Sequence, residues 1–222
     1  MAGESNEQQQ QIVTLDNVSL SSMGVYMLFD EINEGSSKAA CDFLLKANLL
    51  FPSDHTVTMF INSQGGNVSD GWAIIDIMET SHIGIQTVGI GEIASMAACI
   101  FVSGDKGKRM LSKNSYIMTH QFAGFLAGKA HEMIAARKIH DKLETQFIKH
   151  FVYHTKMSEK QVRDILLRES DTWLDPKECL KYGLCDIVSD PWDNLVSFEK
   201  NPGQKKTPVK RTTKTTVKRK TK

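Results

Sequence analysis

The chain has 222 residues, 41 % of them apolar and 24 % charged, an ordinary globular composition with room for one well-buried domain or two small ones. It holds no run of eighteen apolar residues, and its first thirty residues lack the basic start and apolar core of a secretory signal, so neither export nor membrane insertion is expected. A cytoplasmic location is the default expectation. The net charge of +1 hides an asymmetry: from Asn201 onward there are nine Lys or Arg and no acid, which leaves residues 1–200 with a formal charge of −8.

Residues 1–11 (MAGESNEQQQQ) are polar with a glutamine run, and they are expected to be disordered because they have nothing to bury. "VYMLFD" (25–30) and "HTVTMFIN" (55–62) read as strands. Between them, "SSKAACDFLLKANLL" sets Ala40, Phe43, Leu44 and Ala47 at the spacing of one helical face. That is a βαβ unit. "SDGWAIIDIMET" reads as a helix that Ser69 caps, "IGIQTVGI" as a third strand, and "ASMAACIFVSG" as a helix stopped by Gly104. Strands alternating with helices imply mostly parallel pairing with right-handed crossovers. After the strand-like "SYIMTH", residues 127–156 run without proline or an interior glycine. This predicts a helix too long for a lone domain, one that projects or packs on another subunit. Ser158 with Gln161, then Asp175 with Pro176 and Glu178, form two capping boxes, and Gly183 stops the second helix before "LCDIV". Residues 203–222 are rich in Lys and Thr without apolar periodicity, and mutual repulsion is expected to keep them extended.

Three stretches carry chemistry. Ser95 sits where a strand ending in Gly89-Ile90-Gly91 turns into a helix, which leaves a hydroxyl at the carboxyl edge of the sheet among outward-pointing amides. A nucleophile there gains an oxyanion site, and a plain helix cap is the competing reading. In "INSQGGNVSDG", Gly65-Gly66 follow a strand and precede a helix, so the backbone turns sharply and exposes N–H groups. Phosphate binding is not expected, because G-x-G-x-x-G and G-K-[ST] are missing and Asp70 would repel the anion. His120 ends a strand at the same edge as Ser95, where it can take the serine proton if a carboxylate fixes its tautomer. Asp164, Asp171, Asp175 and Asp186 all lie in plausible positions for that acid, although Asp175 is accounted for as a cap. His131, His140, His150 and His154 fall along the long helix at spacings that do not set two on one face beside an acid, and they read as surface or interface residues. No zinc site is expected, since no H-E-x-x-H or comparable set occurs. Cys41, Cys99, Cys179 and Cys185 read as reduced core residues.

The stretch "GEIASMAACIFVSGDKGKRMLSKNSYIMTHQ" (91–121) resembles the serine and histidine segments of the Clp protease proteolytic subunit family, ClpP. "INSQGG" is similar to that family's I-N-S-P-G-G, and "SDTWLDPKECLKYGLCDIV" to its acid-bearing ending. The resemblance implies an α/β, crotonase-like fold of repeated ββα/βαβ units with a long projecting handle helix, occupying residues 12–197 between terminal segments 1–11 and 198–222. It implies Ser95 as nucleophile, His120 as general base, Asp171 as the orienting acid, the Gly66 and Met96 N–H groups as oxyanion hole, and no cofactor or metal. It also implies heptameric rings stacked as a tetradecamer, an AAA+ unfoldase partner, and unfolded proteins and peptides as substrates. Gln64 stands where the family has proline, Ser170 where it has an arginine that joins the rings, and Thr58 beside Phe60 where the docking pocket is commonly aromatic. Three other readings are a non-catalytic Clp-like subunit, a crotonase-fold enzyme acting on acyl-CoA and a phage-type assembly protease. The intact Ser95, His120 and Asp171 weigh against the first. The nine cations of the tail suit nucleic acid or an acidic partner, and their contacts with phosphates would be salt-dependent.

Overall fold

A computed structural model describes residues 19–121 and 129–190. The terminal segments 1–11 and 198–222, with the basic tail, lie outside the described residues, as does most of "FAGFLAGK" after Gln121.

Strand β1 (Val25–Leu28) is followed by helix α1 (Glu34–Leu50), β2 (Thr56–Ser63), α2 (Val68–Glu79), β3 (Gly84–Ala94) and α3 (Met96–Val102). Then come β4 (Arg109–Leu111), β5 (Tyr116–Thr119), α4 (Ala130–His154), the short α5 (Glu159–Gln161), β6 (Thr172–Leu174), α6 (Pro176–Tyr182) and β7 (Ile187–Val188). The strands form one sheet in the order β1-β2-β3-β4-β7 with every pair parallel, while β5 runs parallel to the last residues of β3 and β6 closes antiparallel on β5. The mostly parallel α/β reading therefore stands, and among the described strands β6 is its one reversal.

The local signals act as their chemistry dictates. Ala40, Phe43, Leu44 and Ala47 form the buried stripe of α1, and α3 is buried at all seven positions, as a helix that is apolar all round must be. Both expected capping boxes form, Ser158 with Gln161 and Asp175 with Glu178, and Gly183 closes α6 at φ 76°. The cap of α2 differs from expectation. Asn67, one residue before the helix starts, accepts the Asp70 N–H at 3.1 Å. Ser69 lies inside the first turn and donates its hydroxyl to the Asn67 side chain.

Helix α4 carries no buried residue before Phe147, so most of it projects, as its length predicts. Its last turns correct the reading of the histidines. His150 and His154 are buried, each 7 % exposed, and a four-residue spacing puts them on one helical face. The acid beside them comes from α2: Glu79 Oε1 lies 3.0 Å from His154 Nε2 and 3.9 Å from His150 Nδ1. Burial pushes His150 down to about 4, aided by the charge of His154 and opposed by its hydrogen bond to the Cys99 carbonyl.

Arg109 of β4 ties Asp186, just before β7, and the end of α4 to the sheet. Its guanidinium grips Asp186 through Nε to Oδ2 at 2.8 Å and Nη2 to Oδ1 at 2.7 Å, and Nη1 donates to the His154 carbonyl at the end of α4 at 2.5 Å. Burial pushes the Asp186 carboxyl up, but the Arg109 hydrogen bonds and charge and the Gly107 N–H outweigh it and hold the group below its ordinary value. Asp186→Ala strands a guanidinium that is only 4 % exposed. It is expected to cost about 3 kcal/mol at neutral pH, the low end for breaking a buried pair because Asp186 keeps some contact with water. The lowered carboxyl contributes stability above the unfolded value of ~3.9 and loses it as pH falls through the folded value. Urea melts of both proteins should therefore differ most near neutrality and converge in acid.

Candidate active site

Strand β3 runs straight into α3 through one residue. Ser95 occupies that junction at φ 53°, ψ −121°, and it is the one non-glycine residue with positive φ among those described. Holding a side chain there costs on the order of 1–3 kcal/mol, and the return is position: the hydroxyl stands clear of both elements. The Ser95 N–H donates to the Met118 carbonyl of β5 at 2.8 Å, which fastens the turn to the neighbouring strand. No side-chain cap bond ties up the hydroxyl.

The loop Gln64–Asn67 packs against this turn. A Cβ on Gly65 would lie 2.7 Å from Ser95 Cβ and 2.9 Å from Met96 N, and one on Gly66 would lie 2.2 Å from the Ile32 carbonyl oxygen. Only glycine admits such approach, and both residues also have positive φ. The bridge between Gly66 and Ile32 uses the Gly65 carbonyl and the Asn67 N–H, so the Gly66 N–H takes no part in it. Met96 is the first residue of α3, where an N–H has no intrahelical partner. Both residues line the cleft that Ser95 opens into.

His120 follows β5, and the parallel pairing of Ala94 with Met118 brings the ends of β3 and β5 to the same edge. Its Nε2 lies 2.8 Å from Ser95 Oγ. Its Nδ1 contacts the Gln121 carbonyl at 2.5 Å. A carbonyl only accepts, so Nδ1 carries the proton and Nε2 offers its lone pair to the serine hydroxyl.

The expected acid stands across from this histidine. In the β5–β6 ladder Ile117 pairs with Leu174, Met118 with Trp173 and Thr119 with Thr172, and one further step sets His120 opposite Asp171. Asp171 is exposed, and the Gln121 carbonyl holds the nitrogen that a carboxylate would take. The other candidate acids are engaged elsewhere: Asp186 with Arg109, Asp164 with Lys160, and Asp175 at the start of α6.

The cleft has a volume of about 240 Å³, and Val68, Cys99, Phe147, Phe151 and Leu167 give it apolar walls. Sequence reading missed Phe147 and Phe151 as cleft residues, although their spacing of four on α4 marks one buried face. It also missed the Gln121 carbonyl, a backbone atom with no signature. Cys99, Cys179 and Cys185 are buried and Cys41 half-buried, all four unpaired. Burial pushes the thiols up, Cys185 to about 12, so none is a ready nucleophile.

A serine on a strained strand-to-helix turn, with an imidazole lone pair on its hydroxyl and Gly66 and Met96 lining the same cleft, can carry out acyl transfer on an α/β scaffold. The family is more specific than this class. The Clp protease family model matches residues 7–191, and the chain belongs to that family. It is 36 % identical over 138 residues to an ATP-dependent Clp protease proteolytic subunit of Deinococcus radiodurans, covering 62 % of this chain and 66 % of that protein. It is 39 % identical over 140 residues to the chloroplastic proteolytic subunit 3 of Arabidopsis thaliana, with 62 % and 44 % covered. For proteolytic subunit 2 of Bacillus licheniformis the figures are 35 % over 146 residues, with 64 % and 76 % covered. The match thus spans just under two thirds of the first relative and less than half of the second. Among the described residues no helix is long and apolar enough to cross a membrane.

Proposed function

We propose that this chain is the proteolytic subunit of a Clp-type protease, a serine endopeptidase that works inside an oligomeric chamber. The observation that carries the reading is the 2.8 Å contact between His120 Nε2 and Ser95 Oγ at the strained turn. Ser95 Oγ attacks the scissile carbonyl carbon while its proton passes to His120 Nε2. The carbonyl oxygen becomes an oxyanion held by the Gly66 and Met96 N–H groups, donors each worth ~10²–10³ in rate in such sites. His120 then gives the proton to the leaving amine, and water, activated by the same nitrogen, releases the acyl group from Ser95. Asp171 orients His120 and stabilises the imidazolium, replacing the Gln121 carbonyl at Nδ1. The apolar cleft walls favour an apolar side chain before the cut bond.

The projecting α4 carries exposed Met133, Ile134 and Ile139, a surface that suits contact between two stacked heptameric rings. An AAA+ unfoldase delivers unfolded chains to the chamber, and Phe60 of β2 belongs to its docking pocket. Thr58 is buried and donates to the Gln86 side chain at 3.1 Å, so it adds nothing apolar there. The terminal boundaries 1–11 and 198–222, the cytoplasmic location and the affinity of the basic tail for nucleic acid or an acidic partner belong to the same reading. The test is fluorophosphonate labelling of the purified full chain with native mass measured on the same sample. A label on Ser95 in a ring-sized particle supports the reading. A well-formed ring that takes no label overturns it in favour of a regulatory, non-catalytic subunit.

A further inference from the structure

Away from the cleft, α2 and the end of α4 bring three metal-ligating groups together. Glu79, His150 and His154 each offer one ligand atom, and these atoms all lie within 4.8 Å of one another. We propose that Glu79, His150 and His154 form a binding site for a divalent transition metal of the zinc type.

The geometry is close to what such an ion needs. Zinc with bonds of about 2.0–2.1 Å to nitrogen and oxygen in a tetrahedron separates its ligand atoms by roughly 3.3 Å. The two distances from Glu79 Oε1, 3.0 Å to His154 Nε2 and 3.9 Å to His150 Nδ1, bracket that value. The two differ by 0.9 Å, so the side chains must close up on an ion to share it.

The surroundings orient the rings as a metal site requires. His150 Nε2 lies 3.1 Å from the Cys99 carbonyl, an acceptor, so the proton sits on Nε2 and the Nδ1 lone pair faces Glu79. A ligating histidine commonly donates its second N–H to a carbonyl in this way. The Trp72 ring stands edge-on to His150 at 5.1 Å and limits its rotation. The site opens on a cavity of about 700 Å³ that gives an ion entry and a water as fourth ligand. Asp76 and Asp105 line that cavity with Lys106 and Lys149, so the charges around its mouth are balanced. Two imidazoles and one carboxylate suit zinc, cobalt or nickel over magnesium or calcium, which prefer all-oxygen sets. A bound ion would clamp the base of the projecting helix to α2.

The test uses full-length protein stripped with a chelator, dialysed, and titrated with Zn²⁺ by calorimetry and with Co²⁺ by visible absorption. One saturable site per chain is expected, with the d–d bands of four-coordinate cobalt and a rise in the thermal midpoint on adding zinc. His154→Ala is expected to weaken binding by ~100-fold or more, beyond the 10–100-fold typical of a merely supporting residue. Glu79 is half-exposed, so Glu79→Gln leaves the fold in place and decides the matter even if the histidine variant fails to fold. It should weaken zinc at least ~10-fold and remove the zinc-dependent rise in midpoint. Glu79→Gln protein that binds zinc as tightly as the parent, or a parent chain without one saturable site, overturns the proposal.

Discussion

Ser95→Ala is expected to abolish peptide hydrolysis while leaving the fold and the assembled particle intact. In the proposed mechanism the serine oxygen is the atom that bonds to substrate, and removing such a nucleophile from a serine-protease triad costs about 10⁶-fold in kcat, leaving only what the amides and binding supply. The stability effect runs the other way or is small. Ser95 makes no cap bond through its side chain, its backbone tie to Met118 survives the substitution, and alanine keeps the Cβ at φ 53°. The pairing of large catalytic loss with small structural loss is the discriminating result. It is read by peptide hydrolysis and fluorophosphonate labelling beside a urea melt and native mass. A variant that still hydrolyses peptide at a tenth of the parent rate would remove Ser95 from the reaction.

Asp171→Asn tests the part of the site where the single chain and the proposed enzyme differ. Here His120 Nδ1 is held by the Gln121 carbonyl, which already sets the tautomer that leaves Nε2 free to take the Ser95 proton. A carbonyl is neutral, however, and it cannot balance the imidazolium that forms as the proton arrives. An aspartate can, so the carboxylate matters in the transition state more than at rest. If Asp171 takes over Nδ1 in the working enzyme, Asp171→Asn lowers kcat by ~10⁴ with KM little changed, as loss of the acid does in the general triad case. If the Gln121 carbonyl remains the working partner, the loss is small, and Ser95 with His120 acts as a dyad. The β5–β6 ladder supports the first outcome, since it sets Asp171 opposite His120 and the remaining acids are engaged elsewhere.

The features legible in the sequence are those decided over a few residues. The stripe of α1, the two capping boxes, the αL stop at Gly183 and the length of α4 depend on bonds or contacts three to seven positions apart, so spacing alone displays them. Ser95 was legible for the same reason, because a serine between a glycine-rich strand end and a small-residue helix marks a turn. Even at this range one cap was misplaced: Ser69 was expected to cap α2, but the helix starts at Val68, which gives the place to Asn67.

Tertiary structure decided what depends on distant segments meeting. Spacing left four acids open as partners of His120 and the family resemblance favoured Asp171, but only the antiparallel register of strand β6, a three-residue element without its own signal, sets Asp171 opposite His120. The same closure took Asp186 out of contention, since 77 residues separate it from the Arg109 that binds it. It also turned two presumed surface histidines into a buried pair beside Glu79, 75 residues before His154. Periodicity records which face of an element is apolar, but it carries no information on which other element will cover that face. That choice follows from the packing of the whole sheet, and with it come the Ser95–His120 contact and the Glu79–His150–His154 cluster.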